Sequence, residues 1–206
     1  MLKPKPNSIV SNLDESVRLF QSSFFERISH THPAWPVVLF GPVILYFGWR
    51  SFELTMWWQV SIAAMIGLLI WSLVEYLFHR VVFHYEPKTD WGKKFHFLAH
   101  GVHHAYPNDS TRLVLPPIFT IPAAFMFYWV FANLAANFVD PIFSGFAIGY
   151  VFYDITHFAT HNLAMKSRVG RWIKQYHMLH HYTDEDHNFG VSSPLWDYVF
   201  GTVRRK

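Results

Sequence analysis

The sequence predicts an all-α integral membrane protein, with about four transmembrane helices and a cytosolic histidine-rich helical cap. Three observations carry that expectation: long runs without a charged residue, a lopsided distribution of basic residues, and histidines gathered in two blocks of matching spacing. Hydrophobic residues make up 51% of the 206-residue chain, yet the mean hydropathy is only +0.12, so apolar segments are averaged with polar ones. A chain of this length suits one domain, or here one short N-terminal segment (1–32) and one main body (33–206).

The spans come first. Ile28 to Trp49, Leu54 to Val74 and Leu113 to Val139 contain no Asp, Glu, Lys or Arg, and Pro141 to Tyr153 is a fourth such run. Crossing roughly 30 Å of hydrocarbon takes about 20 mainly apolar residues. Spans are expected near 34–50, 54–77, 115–133 and 137–155, leaving 78–114 and 156–206 for the cap. Pro36, Pro116 and Pro141 fall near helix starts, where a missing N–H costs little, whereas Pro42 and Pro122 are expected to kink the first and third spans.

Orientation follows from the basic residues. All of the 17 Lys and Arg except Arg50 fall on the side shared by the two termini and the loop between spans two and three. The positive-inside rule makes that side cytoplasmic, in a bacterial inner membrane or an endoplasmic reticulum. The sequence pI of 9.1 then reflects topology, and no interleaving of basic and aromatic residues suggests nucleic acid.

Within the first 32 residues, Asp14, Glu15, Arg18, Glu26 and Arg27 interrupt the place where a secretory signal would be apolar. Val10, Leu13, Val17, Phe20, Phe24 and Ile28 recur at three- and four-residue steps after Ser11, which predicts an amphipathic helix lying on the membrane surface or packed on the body.

The cap is defined by histidine. Twelve of the 14 histidines occur in two blocks, each after a pair of spans, and both blocks contain His-x-x-His-His: His100-Gly-Val-His-His104 and His177-Met-Leu-His-His181. A shift of 77 residues maps His84, His100, His103 and His104 onto His161, His177, His180 and His181. Residues at i, i+3 and i+4 share a helix face, so each block aims several imidazoles one way, as do His157 and His161. His79 and His84 are five apart and converge only at a helix end or a π-bulge.

Packing so many ionisable rings together without a cation costs several kcal/mol. Metal binding is the expectation, and ten imidazoles suit two metals better than one tetrahedral zinc. Imidazole accepts iron, copper, zinc or nickel, and ligand type does not choose among them. A site that must act on an inert lipid would favour iron with dioxygen. The absence of cysteine excludes disulfides, iron–sulfur clusters and thiolate zinc sites. No Gly-x-Ser-x-Gly, His-Glu-x-x-His, Gly-x-Gly-x-x-Gly or Walker loop is present.

The string Glu75-Tyr-Leu-Phe-His79-Arg80-Val-Val-Phe-His84, then His96-x-x-x-His100-x-x-His-His104, His157-x-x-x-His161 and His177-x-x-His-His181, resembles the membrane fatty acid hydroxylase and sterol desaturase superfamily. Arg112-Leu-Val-Leu-Pro-Pro117 and Leu195-Trp-Asp-Tyr-Val-Phe-Gly201 narrow the likeness to its fatty acid 2-hydroxylase branch, over about residues 70 to 202. The resemblance implies a di-metal centre, functionally iron although zinc can occupy it, that uses dioxygen and two electrons to hydroxylate C2 of a long fatty acyl chain, often one destined for sphingolipids. It assigns His79, His84, His100, His104 and His180 to one metal and His103, His157, His161, His177 and His181 to the other. His96 and His187 are expected behind the ligands. Glu75 and Asp154, one turn before His79 and His157, are expected to accept the outer N–H of a ligand imidazole.

Several members of that branch carry an N-terminal cytochrome domain, for which the residues before the first span are too few; the expected electron donor is a separate small cytochrome or ferredoxin. The alternatives are a sterol or carotenoid hydroxylase or desaturase, a metal transporter, and a non-catalytic metal-binding membrane protein. A transporter would call for ionisable residues within the spans, and these histidines lie at their ends.

Overall fold

The computed structural model describes residues 13–204. Val10 and Ser11 of the expected N-terminal helix, and Lys3, Lys5, Arg205 and Lys206 of the basic set, lie outside the described residues. Among the described residues every regular element is a helix, with no strand. Four helical segments are long and apolar enough to cross a membrane: Trp35–Leu54, Trp57–Phe83, Pro117–Leu134 and Ala136–Asn162.

The first span is α2 (Trp35–Leu54), with Pro36 in its first turn and Pro42 inside. The second is α3 (Trp57–Leu77), which continues without a break into a π-helical turn, Phe78–Phe83. The third, α6 (Pro117–Leu134), opens on a proline and contains Pro122. A short 3₁₀ turn leads into α7 (Val139–Asn162), which runs past the expected end at 155 because His157 and His161 extend the helix with packed rather than solvated side chains.

α7 is the central helix and is buried along most of its length, while the other three spans show much of their apolar surface outward, as lipid-facing helices do. Between α3 and α7 the backbones nearly touch. A Cβ added at Gly145 would lie 1.9 Å from the Ala64 carbonyl oxygen, and one at Gly67 would lie 1.9 Å from that of Ile142. Small residues at this crossing let helices pack closely where no hydrophobic drive between them exists in lipid. Trp71 of α3 sits edge-on to Phe146 and Tyr150 just beyond it.

At the start of α7, buried Asp140 takes two hydrogen bonds from Arg50 of α2, at 2.5 and 2.8 Å. By helical rise the other end of α7, with His157, is about 25 Å away. The cap gathers there: α4 (Asp90–His96), a second π-helical turn (Phe97–Gly101), α5 (Val102–Ala105), α8 (Arg168–Tyr182) and α9 (Leu195–Phe200). Thr89 caps α4 and Ser167 caps α8 through their side-chain oxygens, and Gly201 ends α9 at φ 70°, a left-handed conformation that glycine adopts without strain.

The N-terminal segment differs from its expected helix. Among its described residues only α1, Ser23–Ile28, is helical, and the chain from 13 to 22 is irregular. Long-range polar partners outcompete the helix there. Asp14 accepts from the Ser110 amide and hydroxyl, Ser16 donates to Asp109, and Arg112 donates to the Val17 carbonyl at 2.6 Å. Glu26 accepts from the Leu19 and Phe20 amides and from Arg112. The segment is thus strapped to the 109–112 loop.

Candidate metal centre

Four chain segments deliver imidazoles to the end of the bundle. The π-helical turn Phe78–Phe83 widens one turn of helix so that residues five apart share a face, and it brings His79 and His84 together with ring centroids 5.0 Å apart. The second π-helical turn and α5 carry His100, His103 and His104. The end of α7 supplies His157 and His161, and α8 supplies His177, His180 and His181.

The structure brings these ten side chains together as two groups of five. In one, ligand atoms of His79, His84, His100, His104 and His180 lie within 4.8 Å of one another; in the other, those of His103, His157, His161, His177 and His181 do. The converging atoms are Nε2. In the first group His100 Nε2 lies 3.2 Å from that of His79, 3.2 Å from His84 and 2.9 Å from His104, while His84 lies 3.1 Å from His180. In the second, His103 lies 3.0 Å from both His157 and His181, and His177 lies 2.9 Å from His161 and 3.1 Å from His181.

These contacts test whether the residues suit a metal. A ring nitrogen carries one proton or one lone pair, so His100 Nε2 cannot hydrogen-bond to three neighbours at once. Convergent lone pairs need a shared cation, and five imidazoles are a donor set that a transition metal takes readily. The outer nitrogens agree: His79 Nδ1 is 2.5 Å from the Phe189 carbonyl and His180 Nδ1 is 2.7 Å from that of His187, which places each proton on Nδ1 and leaves Nε2 free. Burial first, and then the neighbouring histidines, hold His84, His100, His103, His177, His180 and His181 below the ordinary value of 6.5, so they stay neutral and able to coordinate.

The two acidic residues sit otherwise than expected. Glu75 accepts no imidazole N–H; its oxygens take the Val191 and Ser192 amides, at 2.9 and 2.8 Å, and the Ser192 hydroxyl. Asp154 is fully buried and approached by the Tyr150 hydroxyl and the Leu115 amide, while the Leu113 carbonyl faces His157. Carbonyls have taken the role foreseen for carboxylates because loops, not neighbouring turns of the same helix, lie behind the rings. His187 contributes its carbonyl to His180 and turns its ring to Asp184, at 3.0 Å. His96 is half-buried, belongs to neither group of five, and lies near enough to His84 to disfavour protonation there.

Asp197 supports the centre without having been singled out beyond its motif. It is completely buried and accepts from the Phe189 and Gly190 amides and the Thr202 hydroxyl, at 2.9, 2.8 and 2.7 Å. Together with Glu75 it clamps the 187–193 loop, whose carbonyls orient His79 and His180. An aspartate inside the apolar stretch Leu195–Phe200 was the available signal.

Fold and site together define an integral membrane protein with a paired histidine centre suited to metal ions. The chain belongs to the fatty acid hydroxylase family, which it matches over residues 64–202. It is 38% identical over 192 residues to a dihydroceramide fatty acyl 2-hydroxylase of Arabidopsis thaliana, covering 92% of this chain and 81% of that protein. It is 33% identical over 210 residues to the fatty acid 2-hydroxylase of Homo sapiens, covering 91% of this chain and 56% of that one. A solved structure of full-length scs7p, in which only the hydroxylase domain is visible, superposes with a TM-score of 0.83 at 34% identity, covering 89% of this chain and 70% of that one.

Proposed function

We propose that the protein inserts a hydroxyl group at C2 of a long fatty acyl chain, using dioxygen, two electrons and two metal ions, functionally iron. The observation that carries this reading is the pair of five-imidazole groups built at one end of a membrane bundle in a fatty acid hydroxylase. In the reaction the C2–H bond is replaced by C2–O, one oxygen atom enters the product, and the other leaves as water with two protons and two electrons. His79, His84, His100, His104 and His180 would hold one ion and His103, His157, His161, His177 and His181 the other. When bound, such ions supply the dioxygen activation that no side chain of this protein can.

The chain's own residues position and shield. An apolar cleft between α3 and α7 is lined by Leu68, Leu69, Trp71 and Phe152 together with Ser192 and Ser193 of the loop that orients His79. It offers an acyl tail a route along the membrane while the carboxyl end lies at the cap. Ring packing keeps the imidazoles fixed: Phe83 stacks on His100 at 4.9 Å and Tyr153 on His157 at 5.7 Å. A prearranged centre lowers the cost of aligning C2 for attack.

The reading extends to surroundings. The clustering of basic residues on one side supports a cytoplasmic location for the cap and both termini. Electrons would come from a separate small cytochrome or ferredoxin docking on that face, and the acyl product fits sphingolipid synthesis. Supplying ¹⁸O₂ with reductant and lipid tests the reaction itself: one labelled oxygen at C2 of the acyl chain supports it, and label from water instead would overturn it.

A further inference from the structure

The helical stretch from Asp90 to Ala105 carries an apolar face that no described part of the chain covers. Trp91, Phe95 and Leu98 recur at i, i+4 and i+7 and share one side. All three are exposed, Trp91 by 76%, and the Trp91 and Phe95 rings stack at 5.7 Å with 12° between their planes. The other side is packed: Gly92 is buried, with Pro87 where a Cβ would go, and His96 is half-buried. Lys94 flanks the aromatic face, Lys88 lies two residues before the helix, and Lys93 falls on the far side of it.

Position decides what covers it. Only six residues separate the end of the second span, Phe83, from Asp90, so the stretch begins at the membrane surface. Aromatic residues beside lysines are the composition of a helix seated between headgroups and acyl chains, where rings bury and ammonium groups reach anionic lipid. A soluble helix leaving three such residues bare would carry an aggregation-prone patch.

We propose that the Asp90–Leu98 segment lies in the headgroup layer of the adjoining leaflet, with Trp91, Phe95 and Leu98 inserted among the acyl chains and Lys88 and Lys94 against anionic headgroups. The same stretch continues into His100, His103 and His104. The leaflet thereby sets the depth of one ligand of the second group and two of the first. This anchoring is independent of which lipid the centre acts on.

The chain has no cysteine, so one introduced cysteine reports from one place. Phe95→Cys, labelled with bimane and placed in phosphatidylcholine vesicles with a fifth of phosphatidylglycerol, is expected to be quenched several-fold more by a 5-doxyl lipid than by a 12-doxyl lipid and to be shielded from iodide. Trp91→Cys reads the same face should Phe95→Cys fold poorly, and Lys93→Cys, on the packed-side flank, should show the opposite pattern. Replacing Lys88 and Lys94 by Gln should reduce the doxyl quenching in anionic vesicles. Iodide quenching equal to that at Lys93→Cys would overturn the proposal, and so would protection from both quenchers, which would assign the face to a protein partner.

Discussion

Each histidine serves only the group its Nε2 enters, and this makes the two halves of the centre separable. His180→Ala should lower bound metal from two ions per chain to about one and abolish 2-hydroxylation, and His103→Ala should do the same from the other group. Metal analysis of the purified variants beside an activity assay checks both; full metal content with full activity in either would contradict the assignment. Asp197→Asn removes an acceptor from the loop behind His79 and His180 without touching a ligand. Loss of such a support weakens metal affinity by about 10- to 100-fold, and the loss should fall on the first group, read as one ion dissociating earlier in a chelator titration. Glu26 offers a pH readout. Burial alone would raise its pKa, but the amides of Phe20 and Leu19 with His30 and Arg112 outweigh it and hold the carboxyl at about 2 rather than 4.5. An acid depressed in the fold contributes stability above its ordinary value and loses it as pH falls. Protection factors of the Leu19 and Phe20 amides, corrected for intrinsic exchange, should therefore fall between pH 4.5 and 2, and Glu26→Gln should lower them at neutral pH. The histidines were legible in the sequence because their spacing is itself helical geometry. The Phe189, His187 and Leu113 carbonyls were not, since every residue has a carbonyl and only the loop path decides which one faces a ring.

Helices divide the same way. The four spans could be read from charge-free runs, because the bilayer imposes a length and a composition that few other environments do. The extension of α7 to Asn162 could not, since polar histidines look like the end of a span until the partners that bury them are known. The N-terminal periodicity misled for a related reason: apolar residues at helical steps describe what a segment would do alone, whereas Asp14, Ser16 and Glu26 bind a loop almost a hundred residues away. A turn of π-helix was one of the two solutions that the five-residue step from His79 to His84 demanded, and it is the one adopted. At the α3–α7 crossing the geometry makes a firm demand of its own. Gly145→Val must push the helices apart, with overpacking costing about 1–3 kcal/mol and displacing His79 relative to His157. Thermal unfolding in detergent micelles should show a lowered midpoint, whereas Gly41→Ala, with open space around it, should leave the midpoint unchanged.

For the whole molecule, topology explains why the centre is shared. Its ligands come from the π-helical turn that follows α3, the 90–105 stretch, α7 and α8, and each group of five draws on both halves of the chain. Neither group can form until the bundle closes, so metal binding and folding are coupled. Ten of the fourteen histidines that first marked the sequence become, at this scale, a single device at one end of a membrane bundle. Its purpose is tested most directly by mass spectrometry of hydrolysed lipids from cells with and without the protein, alongside cells carrying His103→Ala. The account predicts acyl chains bearing a hydroxyl at C2 only with the intact protein. Unhydroxylated acyl chains together with altered sterols or pigments would contradict it.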